Sequence, residues 1–127
     1  MIAVIFEVWL KPDYMQDYFD LAAELRPSLE KVDGFISVER FESLTEKGKF
    51  VSLSFFRDEE AVAAWRNTQE HRVTQGKGRA RIFANYRLRV AHVLRDYGLN
   101  EREQAPKDSR ARHDVSGVSA SANTTTS

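Results

Sequence analysis

The stretch "FVSLSFFRDEEAVAAW", residues 50–65, decides the fold because it places a strand directly before a helix. Its first seven residues carry apolar side chains on both faces, which is typical of a strand that is covered on both sides. Asp58 is positioned to cap the following helix, and Glu59 and Glu60 fall in its first turn, where the helix dipole favours negative charge. The stretch predicts a sheet with helices on one side and a further layer on the other.

The rest of the chain supplies three more strands and one more helix. "MIAVIFEVWL" (1–10) predicts the first strand, and apolar spacing predicts a helix from Tyr14 to Val32, capped by Asp13 and kinked or restarted at Pro27. "DGFISVERFES" (33–43) and "NYRLRVAHVLRDY" (85–97) predict two further strands. The order is therefore βαββαβ, which predicts an α+β fold: a ferredoxin-like sandwich with an antiparallel sheet.

Both faces of this sheet are predicted to be buried. The face expected to meet the helices carries Ile2, Val4, Phe6, Tyr86 and Leu88. The other face is too apolar for water, and we expect it to carry Ile5, Trp9, Ile36 and Val38. A second copy stacked sheet to sheet would bury it in a homodimer. Four charged residues then need partners across or beside the interface: Glu7, Arg40, Arg87 and Arg89.

Length and composition indicate one folded domain and a polar tail. The chain has 127 residues and no cysteine, which excludes disulfides and thiolate chemistry and favours a cytoplasmic location. No apolar run approaches the roughly 18 residues needed to span a bilayer. We assign the domain to residues 1–98 and a polar, flexible tail to residues 99–127, because large apolar side chains almost vanish after Gly98.

Charge is balanced overall but divided along the chain. Residues 1–60 carry seven Lys or Arg and thirteen Asp or Glu, whereas residues 61–95 carry eight basic residues and one acid, Glu70. The basic residues are spread over a helix, a loop and a strand, so nucleic acid is not an expected partner. Two oppositely charged halves would suit a two-fold dimer in which one half meets the other. Two separately solvated faces would explain the charge division equally well.

The second helix carries Trp65 and His71 near the two edges of one face. Ala61, Ala64 and Thr68 lie between them at helical spacing and leave a shallow trough between two large side chains. Against an apolar sheet, this trough predicts a ligand pocket with an aromatic wall and one titratable nitrogen. The alternative interpretation is structural: Trp65 as a core anchor and His71 as a surface residue.

Other chemistries find little support in the sequence. His71 has no cysteine partner, and Ser52 and Ser54 lie on a strand without the glycines of a nucleophile elbow. Glu70 adjoins His71 in sequence and so points elsewhere on the helix, which argues against a metal site. We therefore expect no metal.

Three stretches resemble the antibiotic biosynthesis monooxygenase (ABM) family of dimeric α/β-barrel proteins: "VDGFISVERFES", "GKFVSLSFFRDEEAVAAWRNTQEHR" and "FANYRLRVAHVLRDYG". The resemblance implies a homodimer with facing sheets and a pocket for a small aromatic or hydrophobic ligand in each protomer. It further implies a cofactor-independent monooxygenase of phenol or quinol substrates. His71 is then the candidate base and Trp65 packs the substrate, while Arg72 or Tyr86 stabilises an oxyanion. Phe6 and Thr68 complete the expected substrate-binding residues.

A haem-degrading branch of the same family fits less well. Trp65 matches the helix Trp of that branch, but Val4 replaces its Asn, and Thr74 and Gln75 stand where its iron-ligating His is expected. We therefore expect no cofactor and disfavour haem. A non-oxidative ligand binder, or a lyase or isomerase on the same fold, remains the alternative to a monooxygenase.

Overall fold

The structure is a computed structural model that describes residues 1–75 and 82–109, with side chains for residues 1–68 and 82–109. The elements follow the predicted βαββαβ order. They are β1 (Ile2–Leu10), α1 (Met15–Glu30), β2 (Phe35–Glu42), β3 (Lys49–Phe56), α2 (Glu59–Gln75) and β4 (Phe83–His92). The α+β ferredoxin-like prediction is confirmed.

The four strands form one antiparallel sheet in the order β2-β3-β1-β4. In β1, Phe6 lies between Ser52 of β3 and Leu88 of β4, so these side chains share one face of the sheet. That face meets the helices, because Ile2 and Val4 pack with residues of α1 and α2 in a buried cluster. The predicted choice of helix-facing side chains on β1 and β4 is confirmed.

Two buried clusters hold the helices against the sheet. The first surrounds the fully buried Phe56, and the second surrounds the fully buried Val8. The first joins both helices to the sheet: Ile2, Val4, Leu29, Val38, Phe56, Ala61 and Val62. The second joins α1 to the β4 end of the sheet: Val8, Tyr18, Phe50, Ile82 and Phe83.

The first helix departs from its prediction at two points. Tyr14, not Asp13, holds the N-cap position of α1, and its side chain makes no capping hydrogen bond. Asp13 instead adopts a positive φ of 70° in the preceding turn, a conformation that Asp tolerates better than most residues. The helix is not restarted at Pro27, since α1 continues to Glu30. The cap predicted for the second helix is confirmed, because Ala61 N donates to Asp58 Oδ1 at 2.9 Å.

The prediction that Val38 faces away from the helices is wrong. Val38 pairs with Ser54, which pairs with Val4, so Val38 lies on the helix side and packs in the first cluster. Arg40 pairs with Ser52 and shares this side. The pairing register between β2 and β3 shifts between Phe35 and Ser37. After this irregularity the side chains of β2 alternate between the two faces, so that Val38 and Arg40 point to the helices.

The opposite face, here called the open face, is apolar with a charged centre. Its apolar residues on the three adjacent strands β1, β2 and β3 are Ala3, Ile5, Trp9, Phe41, Val51, Leu53 and Phe55. Glu7 lies among them and pairs with Lys49 at 3.2 Å and Arg89 at 2.7 Å. Glu7 and Arg89 therefore satisfy each other within one sheet, so they need no partner from a second copy.

Residues 93–109 belong to a separate compact unit that begins at Val93. Within it, Asp96 N donates to the Gln104 side chain at 2.9 Å, and Arg102 donates to Gly98 O at 3.1 Å. The Arg102 guanidinium also lies 5.2 Å from the centre of the Tyr97 ring. These contacts join residues 96–98, which precede the predicted tail, to residues 102 and 104 within it, and the assignment of residues 99–127 as a flexible tail stays a prediction. Within the described residues, no helix is both long and apolar enough to cross a membrane.

Candidate functional site

A cavity of about 270 Å³ lies between the helix side of the sheet and the two helices, here named the substrate cavity for the role that we propose for it. This is near the lower end of the roughly 300–1,000 Å³ that small-molecule pockets occupy. Strands β1 and β4 contribute Val4, Phe6 and Leu88, and α1 contributes Leu21, Ala22, Leu25 and Leu29 along its opposite wall. A partly open, mostly apolar space of this size suits a small hydrophobic ligand.

Aromatic rings form one end of the substrate cavity. The Phe6 ring lies 5.7 Å from Tyr86 and 5.9 Å from Phe83, centre to centre, with the Phe83 ring edge-on. Tyr18 approaches Phe83 at 6.1 Å. Such tilted and edge-to-face pairs hold the rings in place and present flat apolar surfaces to a ligand.

Trp65 packs in the core and also faces the cavity. Its ring packs against the buried Phe56 at 5.9 Å, and it also lines the substrate cavity. The helix that carries it is fixed at its start by the Asp58 cap. The backbone N–H of Ala61, followed by Arg57, lowers the pKa of Asp58, which keeps the capping carboxylate charged. Trp65 is thus a core anchor that shapes the cavity.

Polar groups enter the substrate cavity from α1 and β2. Tyr18 is only 4% exposed, and its hydroxyl has no hydrogen-bond partner. Burial raises the pKa of Tyr18, and the nearby positive charge of Arg40 offsets part of this rise. The Arg40 side chain lies close enough to the Tyr18 hydroxyl to lower its pKa, but no hydrogen bond of ordinary geometry joins them, and Arg40 Nε is also buried without a partner. Ser52 and Ser54 line the cavity beside Arg40.

The structure brings together three of the six predicted site residues: Phe6, Trp65 and Tyr86 line the substrate cavity. Thr68 does not line it, and its hydroxyl donates to Ala64 O at 3.0 Å. The helix α2 includes His71 and Arg72, but their side chains lie outside the described residues. In the described parts of the chain, no three His, Cys, Asp or Glu side chains are grouped so that they could hold a metal.

Sequence reasoning missed Tyr18, Arg40 and Arg66, which also line the cavity. Tyr18 lies within the apolar spacing that predicts α1, and that spacing does not show that its hydroxyl faces a cavity. Arg40 is predicted to need a partner across or beside the dimer interface, whereas its pairing with Ser52 places it on the helix side of the sheet. The available signal is that Arg40 lies two positions after Val38 and therefore shares its face of β2.

Comparisons with known proteins agree with this architecture. The family model described as antibiotic biosynthesis monooxygenase matches residues 1–77. The chain is 40% identical over 121 residues to a Pyricularia oryzae protein named jasmonate monooxygenase ABM, across 94% of this chain and 56% of that protein. The chain therefore spans a little over half the length of this relative.

Solved structures show the same fold at low sequence identity. A Nitrosomonas europaea protein assigned to antibiotic biosynthesis monooxygenases is 16% identical, with a TM-score of 0.65 over 76% of this chain and 93% of its own. A variant of a protein named MhuD, crystallised with two manganese protoporphyrin IX molecules per active site, is 15% identical. Its TM-score is 0.64, over 77% of this chain and 99% of its own.

Proposed function

The chain belongs to the antibiotic biosynthesis monooxygenase family, and we propose that it is a cofactor-independent monooxygenase of a small aromatic substrate of the phenol or quinol type. The observation that carries this proposal is the substrate cavity, whose aromatic end and apolar walls suit such a ring. The name of the Pyricularia oryzae relative supports monooxygenase chemistry.

In the proposed reaction the substrate itself reduces dioxygen. A base removes a proton from an activated CH₂ group, and the resulting carbanion transfers electrons to O₂. Oxygen then bonds to that carbon, and loss of water from the hydroperoxide leaves a carbonyl. One O₂ is consumed per substrate, with one oxygen atom in the product and one in water. The protein needs only to hold the ring, accept a proton and stabilise negative charge.

The proposed roles follow the sequence hypothesis. His71 is the base, Trp65 and Phe6 pack the substrate, and Tyr86 or Arg72 stabilises the oxyanion. Trp65, Phe6 and Tyr86 are supported by their position on the cavity wall. A His71→Ala variant is expected to lose turnover, with Gln75 in the same helix as the site of a control substitution to Ala.

The proposal includes no haem. Val4 is 1% exposed and lines the cavity, where its methyl groups can neither accept nor donate a hydrogen bond. No His, Cys or Met stands among the described side chains that line the cavity. A haem titration followed by absorbance tests this point, and a Soret shift that disappears in His71→Ala would contradict it.

Two adjacent alanines of α1 provide a matched test of the substrate cavity. Ala22 lines the cavity, whereas Ala23 is exposed on the other side of the helix. We expect Ala22→Phe to fill the cavity and abolish oxygen uptake with anthrone, and Ala23→Phe to retain it. Saturable anthrone binding without oxygen uptake by the unmodified protein would instead favour the non-oxidative ligand binder, lyase or isomerase.

We also propose that a second copy covers the open face. The apolar residues of that face, together with the resemblance to a family of dimers, support a homodimer with facing sheets. Leu53 lies on β3 in the interior of the sheet, between Ile5 and Glu39. Sedimentation should show a dimer that Leu53→Glu dissociates. A cytoplasmic location and the absence of a nucleic-acid partner stay predictions.

A further inference from the structure

Two groups that donate hydrogen bonds are buried in the apolar substrate cavity without acceptors. The Tyr18 hydroxyl comes from α1 and Arg40 Nε comes from β2, and neither has a hydrogen-bond partner. Arg40 forms no ion pair within the described residues. The cavity therefore has a polar corner with the positive charge of Arg40, apart from the exposed Arg66 on α2, while most of its wall is apolar.

Such an arrangement is costly in the absence of a ligand. A buried donor without a partner loses its hydrogen bonds to water, and a charged group loses more than a neutral one. The rings of Phe50 and Phe83 pack against Tyr18 at 5.7 and 6.1 Å and restrict its movement away from the cavity. Neither ring offers an acceptor, so packing alone leaves the polar corner unsatisfied.

We infer that this corner binds a carboxylate of the ligand, so that the proposed phenol- or quinol-type substrate also carries a carboxylic acid group. A carboxylate accepts hydrogen bonds from the planar fork of Arg and from a neighbouring hydroxyl at the same time. Arg40, half-buried with its Nε atom fully buried, offers one positive charge to one negative charge, and the apolar walls match the body of such an acid. The inference deepens the proposed function, because it takes the same cavity as the substrate site.

An isosteric pair of probes isolates the carboxylate. 1-Naphthaleneacetate and 1-naphthaleneacetamide share one aromatic body and differ in the charge of the head group. Calorimetry should show that the unmodified protein binds the acetate at least tenfold more tightly than the amide. The measurement needs no turnover, so it can succeed even if the proposed monooxygenase activity fails.

Three variants test whether the polar corner causes the preference for the acetate over the amide. We expect Arg40→Met to weaken acetate binding about ten- to a hundredfold and amide binding less than threefold, since a hydrogen bond to a charged group is lost. Tyr18→Phe should weaken acetate binding by a smaller factor in the same direction. Arg26→Met is the control for charge, because Arg26 lies exposed on α1, pairs with Glu30 and does not line the cavity.

Thermal unfolding of the ligand-free variants gives an independent readout. Removing an unpaired buried donor should raise the melting temperature of Arg40→Met, and the acetate should stabilise the unmodified protein but not this variant. Equal affinities of the unmodified protein for the two probes would overturn the inference. The inference would also be overturned if Arg40→Met lost affinity equally for both probes, or if Arg26→Met lost as much affinity for the acetate as Arg40→Met. If Arg40→Met does not fold, the same comparison of acetate and amide binding in Tyr18→Phe tests the inference.

Discussion

Gly34 and Gly48 provide a matched pair that tests how closely the second helix approaches the sheet. Both glycines have a positive φ, 92° at Gly34 and 83° at Gly48. A Cβ atom at Gly34 would lie 2.8 Å from the Cβ of Ala61 on α2, whereas a Cβ atom at Gly48 meets nothing within 4 Å. The same substitution to Ala therefore adds backbone strain at both sites and a steric clash at only one.

The expected losses of unfolding free energy follow from the backbone strain and the steric clash. A left-handed conformation costs a residue with a Cβ about 1–2 kcal/mol, which is the whole effect expected for Gly48→Ala. Overpacking adds about 1–3 kcal/mol at Gly34, so Gly34→Ala should lower the free energy of unfolding by about 2–5 kcal/mol. Ala61 is one helical turn before Trp65, so relief of the clash would also shift the wall of the substrate cavity.

Urea unfolding followed by tryptophan fluorescence measures both variants, with the midpoint and the slope fitted separately. The difference between the two losses of unfolding free energy measures the clash between a side chain at position 34 and Ala61. If Gly34→Ala were no more destabilising than Gly48→Ala, the close approach of α2 to the start of β2 would be refuted, and with it our account of how Trp65 is positioned.

Three other predictions test the core, the open face and Trp65. Phe56→Ala should cost about 3–5 kcal/mol of unfolding free energy, because its ring is fully buried, and a loss below about 1 kcal/mol in denaturant unfolding would contradict the core assignment. The hydrogen bond from Lys49, together with Arg89, lowers the pKa of Glu7 in the folded protein. Ionised Glu7 therefore stabilises the fold above its ordinary pKa of 4.5, and this stabilisation is lost as the pH falls through the lowered pKa. Acid titrations of unfolding should therefore show a smaller decline for Glu7→Gln, and identical curves would argue against these ion pairs. Trp65→Phe should keep most of the stability while reducing anthrone turnover, and an unchanged rate would leave Trp65 as a core anchor only.

Much of the fold was predictable because local patterns agree with tertiary packing. The alternation along β1 identified the helix-facing side chains, since Val4 and Val8 are nearly or fully buried there. The Asp58 cap was readable from its place before an acidic first turn, and the structure has the bond to Ala61 N. In both cases a short stretch of sequence contains the whole physical cause.

The errors arose where the cause lies in distant residues. The face of β2 could not be read locally, because its apolar and charged residues alternate without a clear preference for either side of the sheet. Pairing with Ser52 and Ser54 places Val38 and Arg40 on the helix side. Asp13 looked like a cap, but the turn after β1 holds it at a positive φ and leaves Tyr14 in the N-cap position.

The candidate site was predictable only in part for the same reason. The helical spacing of α2 identified Trp65, and strand alternation identified Phe6 and Tyr86, all of which line the cavity. Tyr18 and Arg40 meet there because α1 packs on the face of the sheet to which Arg40 belongs, and the spacing within either element does not reveal that packing. The polar corner is therefore visible only in three dimensions.

Mass spectrometry of the product formed from anthrone under oxygen-18 gas shows whether the substrate cavity belongs to a monooxygenase. One labelled oxygen atom should enter each product molecule, and the product should form faster than without protein. This rate should be lost in Ala22→Phe and kept in Ala23→Phe. Label incorporation no faster than in the protein-free control, or an equal rate in Ala22→Phe, would contradict the assignment of the substrate cavity to a monooxygenase.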